Sequence, residues 1–74
     1  MEQQHIKQDQ AALLTVREHA CLAWSAAGKT GKETALILGI SHHTVYFHLK
    51  NAARKFEVYT TRQAISHAIR LGLL

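Results

Sequence analysis

The chain has 74 residues, enough for one small domain that buries about 60% of the surface its unfolded form would expose. It is 47% hydrophobic and 19% charged, which fits a packed globule better than a disordered segment. Nine Lys+Arg against five Asp+Glu give a net charge of +4, which suggests a polyanionic partner, and the single cysteine, Cys21, excludes an internal disulfide and a cysteine-rich zinc finger.

No apolar run approaches the roughly 20 residues that span a membrane, so no membrane contact is expected. The start, Met1 to Gln10, lacks the apolar core and small-residue cleavage site of a signal peptide. A lone thiol in an apolar helical stretch fits the reducing cytoplasm.

Residues 1–12 are polar and aperiodic, and are expected to form a tail or linker before a domain over 13–74. A first helix is predicted near 15–27. Thr15 followed three residues later by Glu18 forms a capping box, and Leu14, Cys21, Leu22, Trp24 and Ala26 supply an apolar side. Gly28 stands where a helix C-terminal cap belongs. A second, short helix is predicted over 31–38. Thr30 and Glu33 repeat the capping box, Ala35, Leu36 and Leu38 are apolar, and Gly39 ends it.

Gly39-Ile40-Ser41 makes a tight connection, and Ser41 can cap a third helix near 42–57. Val45, Leu49, Ala52, Ala53 and Phe56 recur at steps of one, three and four and mark its buried stripe. A fourth helix is predicted over 61–71, with Thr61 as its cap, Ala64, Ile65, Ala68, Ile69 and Leu71 as apolar positions, and Gly72 after it. The expected fold is therefore all-α, four helices, with no strand.

Two short helices joined by a three-residue turn containing glycine describe a helix-turn-helix. Such a pair sets its second helix in the DNA major groove, with N-terminal residues toward base edges. Here that stretch carries His42, His43, Tyr46, Phe47 and Lys50. Imidazole and phenol can hydrogen-bond to base edges, lysine can reach guanine acceptors, and an apolar ring can meet a thymine methyl.

The alternatives are weaker. His42, His43 and His48 are spaced by one, five and six, unlike the spacing near four that two metal ligands on one helical face require. His48 is expected to be structural, hydrogen-bonded to the first helix, and His19 and His67 to be solvated. Cys21 reads as core, Trp24 as packing, and Glu18 as cap and ion-pair partner to Lys55 or Arg54. No Ser-His-Asp set, phosphate loop or paired carboxylate points to an enzyme, and nothing calls for a cofactor.

The ordered residues resemble the LuxR-type helix-turn-helix domain of bacterial transcription regulators. The matching positions run from Leu14-Thr15 and Arg17-Glu18 through Cys21-Leu22, Trp24, Ala26, Gly28-Lys29-Thr30, Glu33 and Ala35 to Leu38-Gly39-Ile40-Ser41. They continue with Thr44-Val45, His48-Leu49, Asn51, Lys55-Phe56, Val58 and Arg62-Gln63-Ala64, and close with Leu71-Gly72-Leu73-Leu74. Trp24 and that ending resemble the quorum-sensing branch, whose members bind their signal through a separate N-terminal domain. The chain then reads as an output domain or a short stand-alone regulator. Thr34 departs from the family, which usually has an aliphatic residue there; Phe56 replaces the common leucine, and Tyr59-Thr60-Thr61 is an unusual run.

The resemblance implies roles. Tyr46, Phe47 and Lys50 meet bases, with His42 and His43 at the helix start. Lys29, Thr30, Thr44, Arg54 and Lys55 are placed for DNA phosphates. Ile65, Ala68, Ile69 and Leu71 are candidates for core or for a homodimer interface. The implied partners are double-stranded DNA, a second copy through the fourth helix, and RNA polymerase; a signal ligand would act only through a domain outside this sequence. Two rivals predict different behaviour. A protein-interaction module would form inactive hetero-dimers with related regulators, and a merely basic domain would bind every DNA sequence equally.

Overall fold

The computed structural model describes residues 14–74 and contains four helices: α1 Val16–Ala26, α2 Gly31–Leu38, α3 His42–Lys55 and α4 Thr61–Arg70. No strand occurs among the described residues. The tail expected over residues 1–12 lies outside them.

Each helix starts because a side chain satisfies amides that the first turn leaves without partners. The Thr15 hydroxyl accepts from the Glu18 amide at 3.0 Å, and the Glu18 carboxylate accepts from the Thr15 amide at 3.0 Å. Thr30 and Glu33 do the same for α2, at 3.0 and 2.8 Å. Ser41 caps α3, its Oγ accepting from the Thr44 amide at 3.1 Å. In α4 the cap is Thr60, not the expected Thr61. The Thr60 hydroxyl accepts from the Gln63 amide, and Gln63 Oε1 accepts in return from the amides of Tyr59 and Thr60.

The ends are equally local. Gly39 holds the left-handed conformation, φ 69°, that turns the chain from α2 toward α3. The third helix stops at Lys55, short of the expected residue 57, because Glu57 adopts φ 59° and the Val58 amide closes back on the Ala53 carbonyl at 2.9 Å.

The core gathers around α3, which packs against the other three helices. Val45, Leu49, Ala52 and Ala53 of α3, with Phe56, meet Cys21 and Leu22 of α1, Ala35 of α2, and Ala64 and Ala68 of α4. Alanines at these contacts let backbones approach closely. Leu36 departs from expectation: it is 84% exposed, because the eight-residue α2 buries the side that carries Thr34 and Ala35 instead.

Polar contacts then lock the helices in place. Lys55 Nζ reaches Glu18 Oε1 at 2.7 Å, joining α3 to α1. Arg17 donates to the Leu38 carbonyl at the end of α2 at 3.1 Å. His19, expected to be solvated, donates from Nε2 to the Leu73 carbonyl at 2.8 Å and fastens the C-terminal turn. His67 is half-buried, its ring 4.6 Å from that of Phe56. The hydrogen bond expected from His48 to the first helix is absent; its ring meets Phe47 edge-on at 5.8 Å.

Thr34 is fully buried, and its Oγ1 has no hydrogen-bond partner among the described residues. Burying a hydroxyl without a partner costs about 1–3 kcal/mol. Thr34→Val keeps the shape and removes the unpaired group, so it should stabilise the domain by about 1 kcal/mol. Denaturant unfolding measures this, and a destabilised variant would show that the hydroxyl has a partner in solution.

Candidate nucleic-acid interface

α2 and α3 form a helix-turn-helix pair, joined by Gly39, Ile40 and Ser41. The sequence of α3, HHTVYFHLKNAARK, contains no acidic residue. Its buried stripe leaves an opposite face. His43, Phe47, Lys50 and Arg54 follow one another at steps of four, three and four, and all are exposed. A positive and aromatic ridge therefore stands outward along the helix.

The five residues expected to meet bases divide into two sets. His43, Phe47 and Lys50 lie on the ridge. His42 and Tyr46 lie on the flank toward α2. Their rings are 5.4 Å apart and edge-on, and His42 also stacks on His43 at 4.7 Å. Phe47 is 61% and Tyr46 54% exposed, so neither ring is core.

The five residues expected at phosphates also divide. Lys29 and Thr30 are exposed at the start of α2. There Gly31 and Lys32 are the first helical residues, and their amides have no intrahelical acceptor. Glu33 beside them has its pKa lowered, chiefly by the hydrogen bond its carboxylate accepts from the Thr30 amide and also by the charge of Lys29. Arg54 lies on the ridge. Thr44 is half-buried, and its hydroxyl lies 2.9 Å from Ser41 Oγ. Lys55 departs from expectation. It is held by Glu18 on the α1 side, as one of the two cations foreseen for that carboxylate.

Beside the ridge runs an open groove of about 820 Å³ between α3 and the segment leading into α4. Tyr46, Lys50 and Arg54 form one wall, and Glu57, Tyr59 and Thr61 form the other. Tyr59 is 95% exposed at its rim.

On α4 the expected interface set also splits. Ala68 is fully buried in the core and has no surface to offer a partner, whereas Ile69 is 55% exposed and Ile65 and Leu71 are half-buried. Burial raises the pKa of the Cys21 thiol, which keeps it a neutral core group. Among the described residues no group of His, Cys, Asp and Glu could hold a metal ion, and no helix is long and apolar enough to cross a membrane.

Sequence reasoning missed Gly31. It starts α2 without the positive φ that marks Gly28, Gly39 and Gly72. A glycine at a helix start with no turn to make was the available signal.

Comparison with known proteins agrees with this geometry. Residues 12–68 match the luxR family of bacterial regulatory proteins. The chain is 46% identical over 63 residues to the transcriptional activator protein VanR of Vibrio anguillarum, covering 85% of this chain and 26% of the relative. It is 45% identical over 67 residues to ExpR of Dickeya dadantii, covering 90% and 25%. Against LuxR of Aliivibrio fischeri it is 46% identical over 61 residues, covering 82% and 24%. The chain thus spans about a quarter of the length of the curated relatives it matches.

Proposed function

We propose that this chain, which belongs to the luxR family of bacterial regulatory proteins, binds a particular double-stranded DNA sequence with α3 in the major groove. The observation that carries this reading is the acid-free outward ridge of His43, Phe47, Lys50 and Arg54 on the second helix of the pair. Lysine reaches guanine acceptors, imidazole hydrogen-bonds to base edges, and the Phe47 ring contacts a thymine methyl. Lys29, the amides at the start of α2 and Arg54 bind phosphates, fix the register of the helix and supply most of the salt-dependent affinity.

VanR, ExpR and LuxR are named transcriptional activators. Activation is our reading for this chain too, with RNA polymerase as a partner and any signal received by a separate domain. Site of action is the bacterial cytoplasm, and nothing in the reading calls for catalysis or a cofactor.

The test is a selection from random duplexes, followed by affinities for the selected and the scrambled site over a salt series. We expect the selected site to bind tighter at every salt concentration, with affinity for both falling steeply as salt rises. Equal affinity for both duplexes would leave only binding by charge.

Pairing on DNA is assigned to α4. Ile69, with the edge of Ile65 one turn before it, forms an exposed apolar strip that a second copy would cover on a two-half-site duplex. Ile69→Glu is then expected to abolish cooperative binding to two half-sites while leaving binding to one half-site within about twofold. Unchanged cooperativity would move the interface off α4.

A further inference from the structure

Tyr46 and Phe47 are neighbours in sequence, yet the fold gives them different surroundings. Phe47 stands on the outward ridge with His43 and Lys50. Tyr46 is displaced around the helix toward α2, and its ring lies over Gly31. A Cβ on Gly31 would stand 3.1 Å from both Cζ and Oη of Tyr46. Side chains rarely approach so closely, so any residue larger than glycine would press the ring outward. On the other side, the ring of His42 meets Tyr46 edge-on at 5.4 Å, and His42 is itself stacked on His43. Tyr46 thus lies between the first residue of α2 and His42, one turn earlier on its own helix, with its phenol end beside Gly31.

Gly31 needs its small size for this contact and for nothing else visible. Its φ is not positive, and glycine is otherwise a poor helix former. The ring of Tyr46 is what a side chain at this position would meet.

We propose that Tyr46 binds the DNA backbone rather than a base edge, and that Gly31 is the positioning residue that makes room for its ring. This rests on the reading that α3 enters the major groove. A helix in the groove turns the N-terminal part of its outward ridge to the base edges, and its flanks and far end to the phosphate strands. A phenol on the α2 flank donates to a phosphate oxygen on the strand that the start of α2 also faces. That contact is neutral. It adds affinity on every sequence, carries no base information and releases no counterion. Base choice then falls to His43, Phe47 and Lys50, which share the ridge.

The test measures affinities of the wild type, Tyr46→Phe, Tyr46→Ala, Gly31→Ala and the Gly31→Ala/Tyr46→Ala pair. Each is titrated with the selected duplex and with all its single-base-pair variants, with thermal melts alongside. Tyr46→Phe should weaken binding about three- to tenfold on every duplex, with the ranking and the salt slope unchanged. Gly31→Ala should weaken binding where Tyr46 is present and have no effect in the Tyr46→Ala background, without loss of thermal stability. The assignment is overturned if Tyr46→Phe changes the ranking at one base pair, if it costs no affinity, or if Gly31→Ala costs the same in both backgrounds. Wild type that ranks all duplexes equally would overturn the sequence-specific reading itself, and that result is read from the wild-type series alone.

Discussion

Lys55→Met is expected to lower the stability of the domain by about 2–3 kcal/mol. Glu18 is 3% exposed, and its Oε1 accepts from both Lys55 Nζ at 2.7 Å and the Thr15 amide at 3.0 Å. Methionine preserves the apolar stem and removes the ammonium, which leaves a buried carboxylate with too little compensation. Removing one partner of a fully buried pair costs about 3–5 kcal/mol; the Lys55 side chain is 30% exposed, so solvent screening moves the figure to the lower end or below. A small domain has only a few such units of stability to lose. Denaturant unfolding of the variant gives the number. Unchanged stability together with a uniform loss of DNA affinity would return Lys55 to the phosphate role that its sequence position implies. The complementary change in Glu18 has a second cost, because that carboxylate also completes the cap of α1.

Lys50→Ala should weaken binding to the best site by about 1–3 kcal/mol and relax the preference at one base pair. Lys50 is exposed on the ridge between Phe47 and Arg54, and in the proposed docking its long side chain reaches guanine acceptors. Arg54→Ala is the contrast. Arg54 lies one turn further from the helix start, toward the flanking backbone, so its loss should weaken all sequences alike and make the salt slope shallower by about one. Affinities on a panel of single-base-pair variants separate the two behaviours. An unchanged ranking for Lys50→Ala would remove it from the base-reading set.

The helices were legible in the sequence because their starts are encoded by pairs of residues three apart. Thr15 with Glu18 and Thr30 with Glu33 each announced a first turn, and the structure shows both reciprocal bonds. The fourth start was harder, since Tyr59-Thr60-Thr61 offers two hydroxyls, and only the return of Gln63 to the Thr60 amide selects one. Leu36 looked like core because apolar residues usually are; an eight-residue helix has room to bury only one side, and Thr34 and Ala35 took it.

Contacts between elements were less legible. Arg54 and Lys55 are adjacent cations, and sequence offered both to Glu18. About 100° of helical rotation puts one on the outward ridge and the other over α1. The same rotation separates Tyr46 from Phe47 and Ala68 from Ile69. His19 carries no sequence sign that its partner is the Leu73 carbonyl, because that contact exists only after α4 folds back against α1. Local pattern set the elements, and tertiary packing decided which side chains remained for DNA.

The most direct test of sequence reading by α3 is an amide NMR titration of the domain with the selected duplex and with a scrambled duplex at the same salt concentration. Shifts are expected at the start of α2 and along α3 from His42 to Arg54, with those of His43, Phe47 and Lys50 lost on scrambling. Equal shifts spread over every lysine for both duplexes would contradict it and leave a basic helical domain, with the protein-interaction reading ahead.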